Sequence, residues 1–167
     1  QYAMVATMAG VNDVIITVTA NQSVTGEAAL AGVYKALATD GISLSTQNTT
    51  AANNMLDATQ SAIDQNSDDS KYSGKLMAAV GDVSSDLAKS KQEDGTTATQ
   101  SEVKTQLEAA LKKYGIDDST PTTSITLIVN ALIQVQKAPV SSTKSYISNV
   151  SDLADSLKNS AGNAMSK

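Results

Sequence analysis

The sequence contains no cysteine, histidine, tryptophan or phenylalanine among its 167 residues. Without cysteine the chain has no disulfide, no thiolate nucleophile and no thiolate ligand for a metal. Without histidine it lacks the commonest general base and the commonest metal ligand of proteins. An enzyme would have to use Ser, Lys, Tyr or carboxylates alone, and no pair of these stands at a spacing typical of a catalytic site. The composition therefore predicts a protein that is not an enzyme, with no catalytic residue, metal site or cofactor.

Arginine is absent as well, so all 12 basic residues are lysines, and 17 acidic residues give a net charge of −5. Nucleic-acid binding needs clustered cations that displace counterions from phosphates, whereas these lysines are scattered along the chain. We therefore expect no nucleic-acid partner. The longest apolar runs, 14–18 and 125–135, are shorter than the roughly 20 residues that cross a bilayer, which predicts no membrane span.

One acidic stretch has the beginning of a calcium-loop pattern. Asp64, Asn66 and Asp68 stand at alternate positions, as oxygen ligands in such a loop do. The sixth position holds Asp69 in place of the required glycine, and the twelfth holds Lys75 in place of a bidentate glutamate. This stretch is therefore predicted to be a solvated loop and not a metal site.

Apolar residues recur at intervals of three and four through most of the chain, which places them on one face of a helix. The residue before Pro139 should end a helix, because the proline ring disfavours the helical conformation there. Polar stretches at 64–75 and 90–100 carry turn residues and predict loops. Helices are predicted at 3–20, 24–38, 46–64, 74–91, 99–114, 122–136 and 143–160.

These patterns predict an all-α fold, with long helices in coiled-coil or bundle packing and a polar, loop-rich middle. The whole chain, 1–167, is expected to form one subunit, with an N-terminal helical region at 1–63, a variable polar middle at 64–100 and a C-terminal helical region at 101–167. An alternative stays open at 14–18 and 124–129, where β-branched residues favour strands.

Two segments, near the N terminus and at 125–135, are apolar around nearly the whole helix and so must be buried on all sides. A chain without large aromatic residues has few ways to surround both by itself, whereas neighbouring copies could. We therefore expect the two segments to pack against other copies in a homopolymer while the polar middle faces water. Asn12 could fix the register of that seam, or it could point outward. The predicted self-assembly residues are Met4, Met8, Val11, Asn12, Ile15, Val18, Ile125, Ile128, Leu132 and Val135.

The stretches YAMVATMAG (2–10) and STQNTTAANNMLDATQSAIDQNSDDSK (45–71) resemble the first long helix, and the loop after it, of the bacterial type III secretion filament (EspA-like) family. The resemblance covers about the first 70 residues and is one of residue types; Pro139 departs from an unbroken C-terminal coil. It implies a non-enzymatic structural subunit of a secreted extracellular filament at the bacterial surface, associated with virulence. The implied partners are other copies of the chain and an export chaperone.

Two other functions stay open. One is a secreted monomeric helical bundle that binds a host protein or an apolar ligand in a pocket lined by Met and Leu. The other is a surface adhesin or pilin-like module, which would use the β-branched runs as strands.

Overall fold

The computed structural model describes residues 1–11, 26–41 and 44–163, and every regular element within them is helical. This confirms the predicted all-α class. The elements are α1 (Tyr2–Met8), α2 (Gly26–Thr39), α3 (Thr46–Gln65), α4 (Tyr72–Asp94), α5 (Gln100–Lys113), α6 (Thr122–Lys137), a 3-10 turn (Pro139–Ser142) and α7 (Lys144–Asn163).

The prediction of one continuous helix over 3–20 is wrong, because α1 ends at Met8 and residues 9–11 are not helical; residues 12–20 lie outside the described part of the chain. Gly10 adopts a φ of 94°, which is open to glycine and strained for other residues. Its N–H donates to the Thr7 carbonyl, and the N–H of Val11 donates to the Ala6 carbonyl, which is a Schellman ending. The question of helix or strand at 14–18 lies outside the described residues.

At 124–129 the structure decides for helix, since these residues lie inside α6. Pro121 precedes the helix with an extended backbone, and Lys137 is its last residue. The remaining helices predicted from 46 onward agree with the structure to within a few residues at each end. Periodicity therefore identified the helix where β-branched composition suggested a strand.

The N terminus of α5 carries a complete capping box, which explains why this polar helix begins where it does. The Thr99 hydroxyl accepts a hydrogen bond from the Glu102 N–H at 3.3 Å, and the Glu102 carboxylate accepts one from the Thr99 N–H at 2.7 Å. The backbone bond, and then the side-chain bond, lower the pKa of Glu102. This exchange satisfies two N–H groups that the first turn leaves free.

Helix α4 corrects the expectation that the middle of the chain faces water. It is the longest helix, at 23 residues, and it packs on α5, α6 and α7. Leu76, Met77 and Val80 are fully buried in it. Within the predicted polar middle, 64–100, only the short connections 66–71 and 95–99 are loops.

The helices pack as a bundle around one continuous apolar core that runs from Met4 to Ala154. Helix α3 pairs with α6 and α4 pairs with α7, while α5 bridges α4 and α6, and α1 bridges α3 and α7. Elements from all three predicted regions contribute to this core. Tyr72 and Tyr146 are its largest buried side chains and supply bulk that the aliphatic residues lack.

The break between α6 and α7 at Pro139 was predicted from the sequence, and hydrogen bonds from α4 stabilise it. The Lys91 ammonium donates to the Gln136 carbonyl at 2.7 Å and to Ser141 Oγ at 2.8 Å. A lysine in this position satisfies carbonyls at the C-terminal end of α6, where the helix dipole also favours a cation. Burial of the ammonium lowers the pKa of Lys91.

Candidate functional site

The residues predicted to form a self-assembly seam lie in the core of their own subunit. Met4, Met8, Val11, Ile125, Ile128, Leu132 and Val135 are each less than a tenth exposed. Asn12, Ile15 and Val18 lie outside the described residues. The premise that one chain cannot surround both apolar segments is therefore wrong for the seven described residues. The physical reason is that other helices of the same chain cover both segments: α3 and α7 pack on α1, and α3, α5 and α4 pack on α6.

Met4 illustrates how closely the N-terminal helix fits this core. A Cβ atom at Gly81 would lie 2.7 Å from Met4 Cε and 3.1 Å from Ala154 Cβ. Glycine at position 81 therefore leaves room on α4 for both the methionine of α1 and the adjoining turn of α7. Sister subunits are therefore not needed to cover this side chain.

A groove of about 630 Å3 runs along α4, between α5 and α7. The two flanking helices each pack on α4 rather than on one another, which leaves the outer face of α4 as the floor. Its lining is Asp82, Val83, Ser85, Asp86 and Lys89 from α4, Gln106, Ala109, Ala110 and Lys113 from α5, and Ser151 and Asp155 from α7.

Short side chains keep the centre of this groove open. Ala109 and Ala110 form the wall from α5, and Ser85 meets Ser151 of α7 through a hydroxyl–hydroxyl hydrogen bond of 2.8 Å. Ser85 is buried and Ser151 is partly exposed, so the pair lies at the bottom of the groove. The floor therefore offers hydrogen-bonding hydroxyls in place of an apolar surface.

One end of the groove is closed by a network around Asp82. Asp82 Oδ2 accepts hydrogen bonds from the Lys113 ammonium at 3.0 Å and from the Tyr114 hydroxyl at 2.8 Å. Burial, the bond to Asp82, and the charges of Asp82 and Asp155 all raise the pKa of Tyr114. Tyr114 therefore stays a neutral donor at this end, and Asp155 is close enough for its charge to act on it.

The remaining charges in the groove are available to a partner. Asp86, Lys89 and Asp155 are exposed, and none has an ion-pair partner in the part of the chain that the structure describes. In contrast, Asp82 is matched by Lys113. Even exposed ion pairs contribute little to the free energy of unfolding, and exposed charges without a pair contribute no more. Asp86, Lys89 and Asp155 can therefore bind a partner without loss of stability.

Two smaller grooves are less distinctive. One of about 310 Å3 lies between α3 and α6 and is lined by Thr46, Gln47, Thr50, Ala51, Gln134 and Lys137. The other, of about 390 Å3, lies beside the loop after α5 and is lined by Glu108, Ala109, Leu111, Lys112, Asp117, Asp118 and Ile125. None of the three grooves is lined by methionine, and Leu111 is their single leucine, so they differ from the apolar pocket expected for the ligand-binding alternative.

The calcium-like stretch has a structural role that the sequence did not indicate. The Asn66 amide donates to the Ser119 carbonyl at 2.9 Å and to the Ala62 carbonyl at 2.9 Å. It thereby ties the end of α3 to the turn that precedes α6. Within residues 1–11, 26–41 and 44–163, no cluster of acidic side chains is arranged to hold a metal ion.

Sequence reasoning missed the groove because its lining comes from three helices that are distant in the chain. The available signal was on α4, where Asp82, Asp86 and Lys89 follow one another at helical spacing on one face. That pattern predicts an exposed polar face on α4, but it does not predict that α5 and α7 pack along its two sides.

Comparisons with known proteins place the chain in a family but do not give its activity. A protein-family model described as "Protein of unknown function (DUF1002)" matches residues 1–153, and the chain belongs to that family. Searches of curated proteins and of solved structures find no match. Over the residues described, no helix has both the length and the apolar character that crossing a membrane requires.

Proposed function

We propose that this member of the DUF1002 family is a non-enzymatic binding protein that acts as a folded monomer and engages a partner through the groove between α5 and α7. The observation that carries this proposal is the burial of the seven described seam residues inside their own subunit. A helix face already covered by its own chain gives no free energy to assembly, because hydrophobic stabilisation scales with the area newly removed from water.

The described surface offers little else to drive polymerisation. Its only large apolar side chains with substantial exposure are Tyr2, at 40 %, and Leu127, at 50 %. Single apolar residues of this kind are normal on monomeric proteins, whereas obligate subunit interfaces are extended and apolar. The groove between α5 and α7 has charged and hydroxyl side chains in its lining instead, which is typical of a site for a reversible partner.

The secreted filament subunit remains a prediction from the sequence, and so does its extracellular location. Such a subunit would have to assemble through surfaces other than the seven core residues. The monomeric binding bundle needs no additional surface, and for that reason we favour it.

The first experiment measures the state of association. Size-exclusion chromatography with light scattering, over a wide range of concentration, should give one species near the monomer mass of 17.2 kDa. Fibres or large oligomers that persist on dilution would contradict the monomer and restore the filament.

The second experiment tests the groove with two neighbouring residues of α5. Gln106 and Thr105 are both exposed, but only Gln106 lines the groove. The variant Gln106→Trp should fill the groove, while Thr105→Trp adds the same bulk outside it. Partners from extracts of the source cell should be retained by the wild-type protein and by Thr105→Trp and lost from Gln106→Trp. Equal retention by all three proteins would exclude the groove as the binding site.

A further inference from the structure

We infer that the groove selects a peptide segment of a partner protein that presents one basic and one acidic side chain about 10 Å apart. This inference rests on the proposed function and adds to it the chemistry of the partner. It follows from the order in which the unpaired charges lie along the groove.

Contacts between the helices establish that order. Lys113 of α5 meets Asp82 at 3.0 Å, so the C-terminal end of α5 lies beside the middle of α4, whereas α5 begins next to the C-terminal end of α4 in the chain. Ala154 of α7 approaches the neighbouring Gly81, and its successor Asp155 lies at the same end. Both flanking helices therefore run antiparallel to α4, which brings Asp155 to the Asp82 end of the groove.

Lys89 lies at the opposite end. It follows Asp82 by two helical turns on α4, a distance of about 10 Å at the rise of an α-helix. Asp86 lies between the two, beside the alanine wall and the serine pair. Because Lys113 neutralises Asp82, the free charges are negative at one end and in the middle, and positive at the other end.

A partner that matches this order places a cation near Asp155 and Asp86 and an anion near Lys89. A helical segment meets the requirement with an Arg or Lys two turns away from a Glu or Asp. Uniformly charged partners match less well, because one end of the groove repels them. The hydroxyls of Ser85 and Ser151 can bind polar groups between the two ends.

The test uses a synthetic alanine-based helical peptide with one Arg and one Glu two turns apart, and a neutral peptide with Gln at both positions. Titration of the full chain is followed by the NMR shifts of its backbone amides. The charged peptide should shift the amides of Gln106, Ala109 and Ser151 in a saturable manner, and the neutral peptide should bind more weakly. Shifts spread evenly over the acidic surface would overturn the inference.

Variants of the protein assign each charge. Asp155→Asn should lower the affinity for the charged peptide by about two- to fivefold, as expected for an exposed ion pair. It should have no further effect on a peptide whose Arg is replaced by Gln. Lys89→Gln should show the same dependence on the peptide's Glu. Asp152→Asn and Lys144→Gln remove exposed charges of α7 outside the groove and should leave binding unchanged.

These outcomes separate the inference from the proposed function. If the protein is monomeric and Gln106→Trp still loses its natural partner, but the groove variants do not distinguish the peptides, only the charge order is wrong. If the protein is a polymer, the proposed function itself is wrong. Equal losses in the groove variants and the control variants would show that net charge, rather than this groove, attracts the peptide.

Discussion

Replacing Leu132 by alanine tests whether the C-terminal apolar segment belongs to the core of one subunit or to a seam between subunits. Leu132 is fully buried on α6, which packs against α3, α4 and α5. With partners on several sides, the surrounding side chains can only partly collapse into the space that the substitution leaves. Leucine-to-alanine changes in such sites destabilise by about 2–5 kcal/mol. A domain with a total stability of about 5–15 kcal/mol loses a large share of it.

The assay is urea unfolding followed by far-UV circular dichroism at two protein concentrations about tenfold apart. For a monomer, the unfolding midpoint of the wild-type protein is the same at both concentrations, and that of Leu132→Ala is lower by the same amount at both. In a thermal scan the loss corresponds to a fall of roughly 4–20 °C for a chain of this size.

The same helix provides the control. Leu127 is 50 % exposed, so Leu127→Ala removes an equal number of atoms without opening an internal cavity. Its effect should stay within about 0.5 kcal/mol, as for other surface substitutions. The reasoning is refuted if Leu132→Ala and Leu127→Ala unfold alike, or if the wild-type midpoint rises with concentration and Leu132→Ala abolishes that rise.

Three further predictions concern buried or capping polar groups. Tyr146→Phe and Ser84→Ala should each lower the free energy of unfolding by about 1–3 kcal/mol, because loss of the 2.6 Å bond between the two buried hydroxyls leaves one of them unpaired. In chemical denaturation the double variant should lose less than the sum of the two single losses, and additive losses would contradict this pairing. The pKa of Glu102 is lowered in the folded state, so the stability that its carboxylate contributes should be present at neutral pH and lost as the pH falls through the folded-state pKa. Glu102→Gln should therefore be less stable than the wild type at neutral pH, and this difference should shrink on acidification; a difference independent of pH would contradict the capping role of the carboxylate. Lys91→Met should lower the thermal midpoint by an amount corresponding to about 1–2 kcal/mol, because the carbonyls at the end of α6 lose the charged donor and keep only the Ser141 hydroxyl. The exposed Lys89→Met should change the midpoint little.

Most helices of this protein could be predicted from the sequence because apolar residues repeat with the period of the helix. That period follows from backbone geometry and needs no knowledge of neighbours. At 124–129 the helical period predicted the structure correctly and the β-branched composition did not, since these residues lie in α6. The end of α1 was missed because the Schellman signal at Gly10 lies inside an apolar run that continues the helical pattern.

The groove could be predicted only in part, because the sequence reports charge and period but not the arrangement of helices in space. The polar face of α4 is visible in the spacing of Asp82, Asp86 and Lys89. The serine pair that links α4 to α7 depends on residues that are 66 positions apart in the chain. No local pattern contains that pairing.

By itself the sequence determined that this chain is helical, which faces of its helices avoid water, and that thiol and imidazole chemistry are absent from it. The tertiary structure alone decided what covers those faces. Hydrophobic burial has no direction, so an apolar stripe is equally satisfied by a neighbouring helix of its own chain or by another copy. Here α3 and α7 cover the described part of the N-terminal segment, α3, α5 and α4 cover the C-terminal one, and the outer polar face of α4 becomes the floor of the groove.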